Sequence, residues 1–373
     1  MMKFNRKQSI QVNLSPKRAL VIYGPRRIGK TTMLQQYLRR QKNYFYTTGD
    51  DFKIRELFKS QDRDRILDMA GQYEIIALDE AQNIPSVGLG AKMIVDSLPD
   101  KIVILTGSSS LNLSKEVGEP LTGRHFTITL LPFAQDEIQA SRFELENALE
   151  DFLVYGSYPE VLAEPNRERK AKILNELASS YLFKDVLALD KIRSPDLLLD
   201  IIKCLSFQVG SEVSLNEIAN TVKTDVKTVG RYIDVLEKMF ILKKIRGFSR
   251  NLRNEISQKA KYYFLDNGLR NAVISQFNPL NLRNDVGQLW ENFVFMELVK
   301  KSNNAGRLDQ YYFWRTHGGQ EVDIIRESNG QLSAIECKWS ETKGNAPILW
   351  RRTYPESDYM VVSRKNYLQI LLR

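Results

Sequence analysis

Near the start of the chain, Gly24-Pro25-Arg26-Arg27-Ile28-Gly29-Lys30-Thr31 has the spacing G-x-x-x-x-G-K-[ST], which binds the phosphates of a nucleoside triphosphate. The glycines let the backbone curl so that its N–H groups face an anion. Lys30 is expected to reach the β- and γ-phosphates, and Thr31 to ligate Mg²⁺. Gly24 to Thr32 is therefore the expected ATP-binding stretch, within which Arg26 and Arg27 are phosphate-side or solvated charges with no further role. Downstream, the apolar run Glu74-Ile75-Ile76-Ala77-Leu78-Asp79-Glu80 ends in two carboxylates. Asp79 is expected to hold Mg²⁺ through water, and Glu80 to orient or deprotonate the attacking water. A further run, Lys101 to Ser108, ends in small polar residues, of which Thr106 or Ser108 could sense the γ-phosphate. Arg124, in Thr122-Gly123-Arg124, is a candidate for contacting the nucleotide of a neighbouring subunit. That arrangement would need a homo-oligomer, and a monomer fits the sequence equally well.

A second chemical pattern lies near the other end. Glu321-Val322-Asp323 and Glu336-Cys337-Lys338 flank Asn329-Gly330, the strongest short hairpin signal. With those two residues as the turn, Ser328 lies opposite Gln331, Asp323 opposite Glu336 and Glu321 opposite Lys338. Strand alternation puts these four side chains on one face and Val322, Ile324, Ile335 and Cys337 on the other. Acids directly opposite each other, about 5 Å apart at Cβ, repel, so such a face wants a cation. Asp323 and Glu336 are candidate Mg²⁺ ligands, with Lys338 placed to assist a nucleophilic water or steady a phosphate. Glu291, on an apolar helix face with Val294, Phe295 and Leu298, is a third candidate ligand. It needs a partner, for which a metal, Lys338 or Arg315 could serve. Cys337 reads as a small core residue. A salt-bridged structural hairpin is the alternative reading.

These groups require scaffolds. Ala19–Tyr23 reads as a buried strand leading into the phosphate loop, with a helix after it containing Leu34 and Leu38. Phe126 to Leu130 reads as a last strand. From about Ala148 to Phe207 the pattern is helical, with Ile173, Leu174, Leu177, Tyr181 and Leu182 at helical spacing on a long charged run from Arg167 to Leu189. A lid packed on the nucleotide domain is expected there. Ser214 caps a helix with Glu217 at its third position, Lys223-Thr224-Asp225 breaks it, and Val226 to Leu236 forms a second helix. Lys243 to Arg246 and Lys261 to Leu265 would be the strands of a wing. Lys227 and Arg231 share a face of the second helix. Seven basic residues and one acid, Glu255, lie between Lys243 and Lys261. DNA contact, chiefly to phosphates, and interdomain packing are both open readings.

The chain has 373 residues, 43% of them hydrophobic, so it is a folded protein of two or three domains. The expected division is a nucleotide domain over 1–147, a helical lid over 148–207, a winged helix over 208–266 and a nuclease-like domain over 267–373. No apolar run approaches the length of about 18 residues that a membrane span needs. The first residues lack an apolar signal region. Two cysteines, Cys204 and Cys337, make a disulfide framework improbable, and a reducing cytoplasm is the plain expectation. The net charge of +9 is compatible with a polyanionic partner without requiring one.

Together GPRRIGKT, IIALDE, LTGSSS and TGR in the first half, with GQLWENFV, YYFWR and the EVD/ECK hairpin in the second, resemble a prokaryotic AAA-type ATPase family. That family appends a C-terminal domain of unknown function. The resemblance runs over nearly the whole chain. It implies an α/β fold: a parallel-sheet P-loop ATPase domain of AAA+ type, then a helical lid and winged helix, then a restriction-endonuclease-like PD-(D/E)xK domain. It implies ATP hydrolysis through Lys30, Thr31, Asp79 and Glu80, and a nuclease-like site at Glu291, Asp323, Glu336 and Lys338. The proline usual before the nuclease aspartate is absent, and Val322 stands there. Two functions are expected from this: a Mg²⁺-dependent ATPase acting on DNA, or a nucleotide-dependent switch that binds DNA or protein through an inactive nuclease-like domain. A chaperone-like ATPase gripping protein is a third.

Overall fold

The computed structural model describes residues 3–108, 120–179, 194–249, 259–316, 318–340 and 343–372. Tyr181, Leu182, Leu189, Arg250, Arg253 and Glu255 lie outside the described residues, and with them part of the basic stretch and the end of the charged run from Arg167 to Leu189. The chain divides into two compact units. The smaller contains Arg6–Leu131 and Lys238–Phe240; the larger contains Met1–Asn5, Pro132–Glu237 and Ile241–Arg373. The larger unit thus holds the segments read as lid and nuclease-like domain, and that read as winged helix except Lys238–Phe240.

In the larger unit, β1 (Lys3–Phe4) pairs antiparallel with β7 (Ile138–Gln139). The smaller unit is built on β2 (Ala19–Tyr23), β3 (Tyr44–Thr48), β4 (Ile75–Asp79), β5 (Ile102–Gly107) and β6 (His125–Thr129). All neighbours are parallel and the order is β3-β4-β5-β2-β6. The reason lies in composition: β2, β4 and β5 are nearly unbroken apolar runs, as strands covered on both faces must be. Val21, Ile76, Leu78, Val103 and Leu105 are fully buried with Phe58, Ile66 and Ile94 from the flanking helices. Helix Phe52–Ser60 starts where Asp51 accepts the N–H groups of Lys53 and Ile54. The strand expected over Phe126 to Leu130 begins one residue earlier, and β3 was not expected. Because all five strands run the same way, the phosphate loop, Asp79 and Thr106 emerge at one edge of the sheet.

The larger unit begins with helices Arg142–Asn147, Leu149–Tyr155, Pro159–Ala163, Arg167–Ser179 and Pro195–Phe207. Next come β8 (Glu212–Val213), helices Leu215–Thr221 and Val226–Lys238, β9 (Leu242–Gly247) and β10 (Ala260–Phe264). The Ser214 hydroxyl accepts the Glu217 N–H, and Asp225 caps the second helix by accepting the Thr228 N–H at 2.8 Å. The remainder is helix Asn267–Val273, helix Val286–Asn304, β11 (Gln310–Arg315), β12 (Glu321–Ser328), β13 (Gln331–Cys337), helix Ile348–Thr353, β14 (Asp358–Val362) and helix Tyr367–Leu371. The strands form one sheet in the order β14-β13-β12-β11-β9-β10-β8. The join is the parallel pairing of Tyr312 with Arg246 and Phe313 with Gly247. The wing strands and the C-terminal strands therefore share a sheet, although the expected domain boundary runs between them.

Helix Val286–Asn304 is anchored to that sheet by polar contacts as well as packing. Asn292 accepts the Phe264 N–H and donates to the Phe264 carbonyl, completing the backbone of β10. The fully buried Trp290 donates its indole N–H to Val362 O at 3.1 Å. A buried charged knot sits at the helix start. Asp285 accepts from Arg270 at 2.5 Å and from Arg283 at 2.8 Å, while Arg270 also donates to the Ser206 carbonyl. Burial alone would raise the Asp285 carboxyl, but the two guanidinium groups outweigh it and hold it below the ordinary range. A depressed carboxylate contributes stability that is present above its unfolded pKa and lost as pH falls through the folded one. Asp285→Asn is expected to cost about 3–5 kcal/mol at neutral pH by stranding buried cations. Denaturant unfolding should show the gap to wild type closing as the medium is acidified below the carboxylate range. A gap that persists in acid would mean that packing, not charge, carries the effect.

Candidate functional site

The phosphate loop begins where β2 ends. At Gly24, φ is 154°, and a Cβ would lie 2.4 Å from the Leu130 carbonyl oxygen, so no side chain fits. At Gly29, φ is 94°, and this residue caps helix Lys30–Leu38 with its N–H groups turned to the loop. The Arg6 guanidinium braces the loop from behind, donating to Ile28 O at 2.7 Å and Leu131 O at 2.8 Å. The Lys30 ammonium is buried and donates to Gly24 O at 3.0 Å and Pro25 O at 2.9 Å, within the curl of the loop itself. Arg26 and Arg27 are exposed, and Arg27 has a φ of 56°. The loop fits an anion: a backbone cradle that excludes side chains, a helix N-terminus and a captive ammonium.

Asp79, only 2% exposed, is the hub beside the loop. Its Oδ2 accepts from Thr31 Oγ1 at 2.7 Å and from the Tyr46 hydroxyl at 3.1 Å. Its Oδ1 accepts from the Thr106 hydroxyl and, at 3.2 Å, from the Glu80 N–H. The Glu80 N–H also donates to Thr106 Oγ1 at 3.1 Å. Thr106 is fully buried, so its hydroxyl orients Asp79 and the start of Glu80. Glu80 itself adopts a left-handed φ of 48°, strained for a residue with a side chain. Its carboxylate accepts from Gln82 Nε2 at 2.5 Å, and the same nitrogen lies 3.3 Å from Ser108 Oγ. Gln82 Oε1 is buried and has no hydrogen-bond partner, an acceptor left over next to that carboxylate. Burial and then the Asp79 charge push the Tyr46 phenol above its ordinary value. Arg124 is half-exposed and bound to Asp96 at 2.6 Å within its own unit.

Tyr46, Gln82 and Arg6 escaped the sequence reading. Tyr46 sits in β3, directly opposite Ala77 and two residues before the pairing of Thr48 with Asp79. The aromatic and β-branched run Tyr44-Phe45-Tyr46-Thr47-Thr48 was the available signal. Gln82 and Arg6 carry no comparable local pattern.

The C-terminal carboxylates gather at the open end of the β12–β13 hairpin. The expected register holds from Ser328↔Gln331 to Ile324↔Ile335. At Asp323 the carboxylate itself takes over, accepting the Cys337 N–H at 2.8 Å. Glu336 is paired with Lys338 at 2.8 Å, and Glu321 with Arg315 at 3.8 Å. The protein partners of Glu291 are neither Lys338 nor Arg315. Its Oε1 accepts from the Tyr263 hydroxyl at 2.6 Å and lies 3.4 Å from the Lys261 ammonium, both from β10. Burial raises the Glu291 carboxyl to about 7 against the counter-pull of Lys261. Asp323 and Glu336 are also raised, chiefly by burial. Among the described residues, no three His, Cys, Asp or Glu side chains converge closely enough to hold a metal ion. Glu291, Asp323 and Glu336 share a neighbourhood, and each is engaged with a group of the chain: Tyr263 and Lys261, the Cys337 N–H, and Lys338.

On helix Val226–Lys238, Lys227 and Arg231 are both exposed, while Val229, Tyr232, Ile233 and Leu236 are buried. Among the described residues no helix is long and apolar enough to cross a membrane.

Residues 16–139 match the family model described as "AAA domain". Residues 146–280 match "Domain of unknown function (DUF8612)", and 286–357 match "Domain of unknown function (DUF4143)". An uncharacterized protein of Haemophilus influenzae is 27% identical, the match covering 94% of this chain and 88% of that one. An uncharacterized protein of Methanocaldococcus jannaschii is 24% identical, with 91% and 79% covered. One of Mycobacterium tuberculosis is 24% identical, with 87% and 70% covered. A crystal structure of a DNA replication initiation factor aligns over 59% of this chain and 82% of that one at 20% identity. Its TM-score of 0.26 is too low to carry an argument.

Thr106→Val keeps the volume but removes the hydroxyl that joins Asp79 Oδ1 to the Glu80 N–H. Mg²⁺-dependent ATP turnover is expected to fall about 10–100-fold, as when other orienting partners of a metal-binding carboxylate are lost. Metal-free nucleotide affinity, read by fluorescence titration, should stay within about twofold, because the Thr106 hydroxyl bonds to Asp79 and the Glu80 N–H. Equal losses in both would place Thr106 in nucleotide binding instead.

Proposed function

We propose that this protein is a Mg²⁺-dependent ATP hydrolase whose nucleotide state controls engagement of DNA by the helix-turn-helix of the larger unit. The observation that carries the first half is the contact between Thr31 Oγ1 and Asp79 Oδ2, 2.7 Å long, beside a loop that admits only glycine at position 24. Thr31 and Asp79 would hold Mg²⁺, which when bound offsets the charge of the phosphate oxygens. The Gly24 to Thr32 backbone binds the phosphates. Lys30, exchanging the Gly24 and Pro25 carbonyls for substrate oxygens, neutralises charge that builds on the γ-phosphate. Glu80 orients the attacking water and accepts its proton once it turns from Gln82. The Glu80–Gln82 contact thus represents a resting arrangement. Arg124 would have to leave Asp96 before serving a neighbouring subunit's nucleotide.

For DNA the support is the capped helix pair followed by a β-hairpin, the order of a winged helix, with Lys227 and Arg231 exposed on the second helix. The helix–β–β–β–helix–β order of the C-terminal segment is that of a nuclease-like fold. We read its carboxylate face as scaffold and not as a live nuclease, because those acids are engaged by Tyr263, Lys261, Lys338 and the Cys337 N–H.

Lys30→Ala should reduce ATP turnover by at least 10³-fold, on the scale of losing a main transition-state charge contact, with the circular dichroism spectrum unchanged. Retained turnover in that variant would refute the phosphate-loop assignment. In gel shifts with duplex DNA, Lys227→Ala/Arg231→Ala should lower the slope of log affinity against log salt by about 2. An unaltered slope would remove this helix from the interface. Asp323-dependent cleavage of single-stranded, duplex or branched DNA with Mg²⁺ or Mn²⁺ would restore the nuclease reading.

A further inference from the structure

The carboxylate face of the larger unit holds four acids: Glu291, Asp323, Glu336 and Glu321. Two of them have partners from their own hairpin or its neighbour, Glu336 with Lys338 and Glu321 with Arg315. Glu291 and Asp323 are the deeper pair, each mostly buried, and burial is the main cause that raises both carboxyls. Two buried acids with no counter-charge would be costly and would either protonate or recruit a cation.

The counter-charge comes from a distant part of the chain. Lys261 is 5% exposed, lies in β10, and directs its ammonium to within 3.4 Å of Glu291 Oε1. The face of the Phe313 ring lies 5.5 Å from the same nitrogen. Burial alone would lower the Lys261 pKa, but Glu291, Asp323 and Glu321 together outweigh it and keep the ammonium charged. Gly210, whose φ is 73°, lies beside the other oxygen, and a Cβ there would stand 2.8 Å from Glu291 Oε2, so no side chain fits. Glu291 therefore has a hydroxyl and an ammonium on one oxygen and a glycine beside the other.

We propose that Lys261 is the built-in cation of this carboxylate face, and that the face is consequently a metal-free ion cluster in the native protein. The strand that supplies Lys261 also supplies Tyr263, so the cluster couples the helix-turn-helix strands to helix Val286–Asn304 and the β12–β13 hairpin through one set of charges. This inference stands apart from the nucleotide reading: it would survive if the protein proved unable to hydrolyse ATP.

The test is Mn²⁺ binding to the full chain without nucleotide, counted by electron paramagnetic resonance. Wild type and Asp323→Ala are expected to bind the same number of ions. Lys261→Met should bind one more than wild type, with an affinity at least tenfold above anything wild type shows, and Lys261→Met/Asp323→Ala should lose it. Lys261→Arg, which keeps the charge, should gain none. Wild-type binding that disappears in Asp323→Ala would overturn the proposal. So would a Lys261→Met protein that folds with an unchanged melting temperature and gains no ion. If Lys261→Met fails to fold while Lys261→Arg folds, the need for a cation at this position is upheld. If neither folds, the wild-type and Asp323→Ala comparison still decides.

Discussion

The nucleotide unit depends on one buried carboxylate. Asp79 has both oxygens occupied, by Thr31 and Tyr46 on one side and by Thr106 and the Glu80 N–H on the other. Those groups come from three adjacent parallel strands and from the helix behind the phosphate loop. A carboxylate in so dry a place is tolerable only when fully hydrogen-bonded, and satisfying it draws the ends of β3, β4 and β5 and the first turn of helix Lys30–Leu38 into fixed relation. The sheet order is what permits this: β5 lies between β4 and β2, so its terminal threonine reaches Asp79 from the side facing the loop. The same requirement bends the chain at Glu80 into a left-handed conformation, which turns that side chain toward Gln82.

The larger unit solves a comparable problem differently. Its sheet crosses what the sequence divides into two modules, and the polar groups at the crossing are paired internally. Asn292 completes the backbone of β10, the Asp285 knot ties helix Asn267–Val273 to the start of helix Val286–Asn304, and Lys261 answers Glu291. Polar networks of this kind specify one arrangement when every member is satisfied. An acidic face that looks in sequence like a vacant metal site is therefore already furnished with charge by a strand some sixty residues from the hairpin.

Much of the nucleotide unit was legible from local patterns. The strand, loop and helix around Gly24 to Leu38 occupy nearly the residues expected, because glycine spacing and an apolar run constrain the backbone within one segment. The β12–β13 register also holds, because an Asn-Gly turn sets its own pairing. β3 and the role of Tyr46 were not legible: aromatic strands without an apolar run resemble half-exposed segments until their neighbour is known. The choice between Thr106 and Ser108 was likewise open, because their partners lie elsewhere in the chain: Thr106 bonds to Asp79, and Ser108 lies beside Gln82.

The sequence by itself determined the chemistry that is contiguous in the chain: the phosphate loop, the Asp79-Glu80 strand end, the capped helix pair and the hairpin carrying Asp323 and Glu336. Tertiary structure alone decided which partner each charge has. Lys261 and Tyr263, not Lys338 or Arg315, meet Glu291, and Asp96 holds Arg124. The physical reason is the range of the constraint. Turns, caps and glycine loops are set by neighbours a few residues away, whereas a buried charge takes whatever opposite charge the folded sheet brings within reach, and nothing in local spacing encodes which one that is.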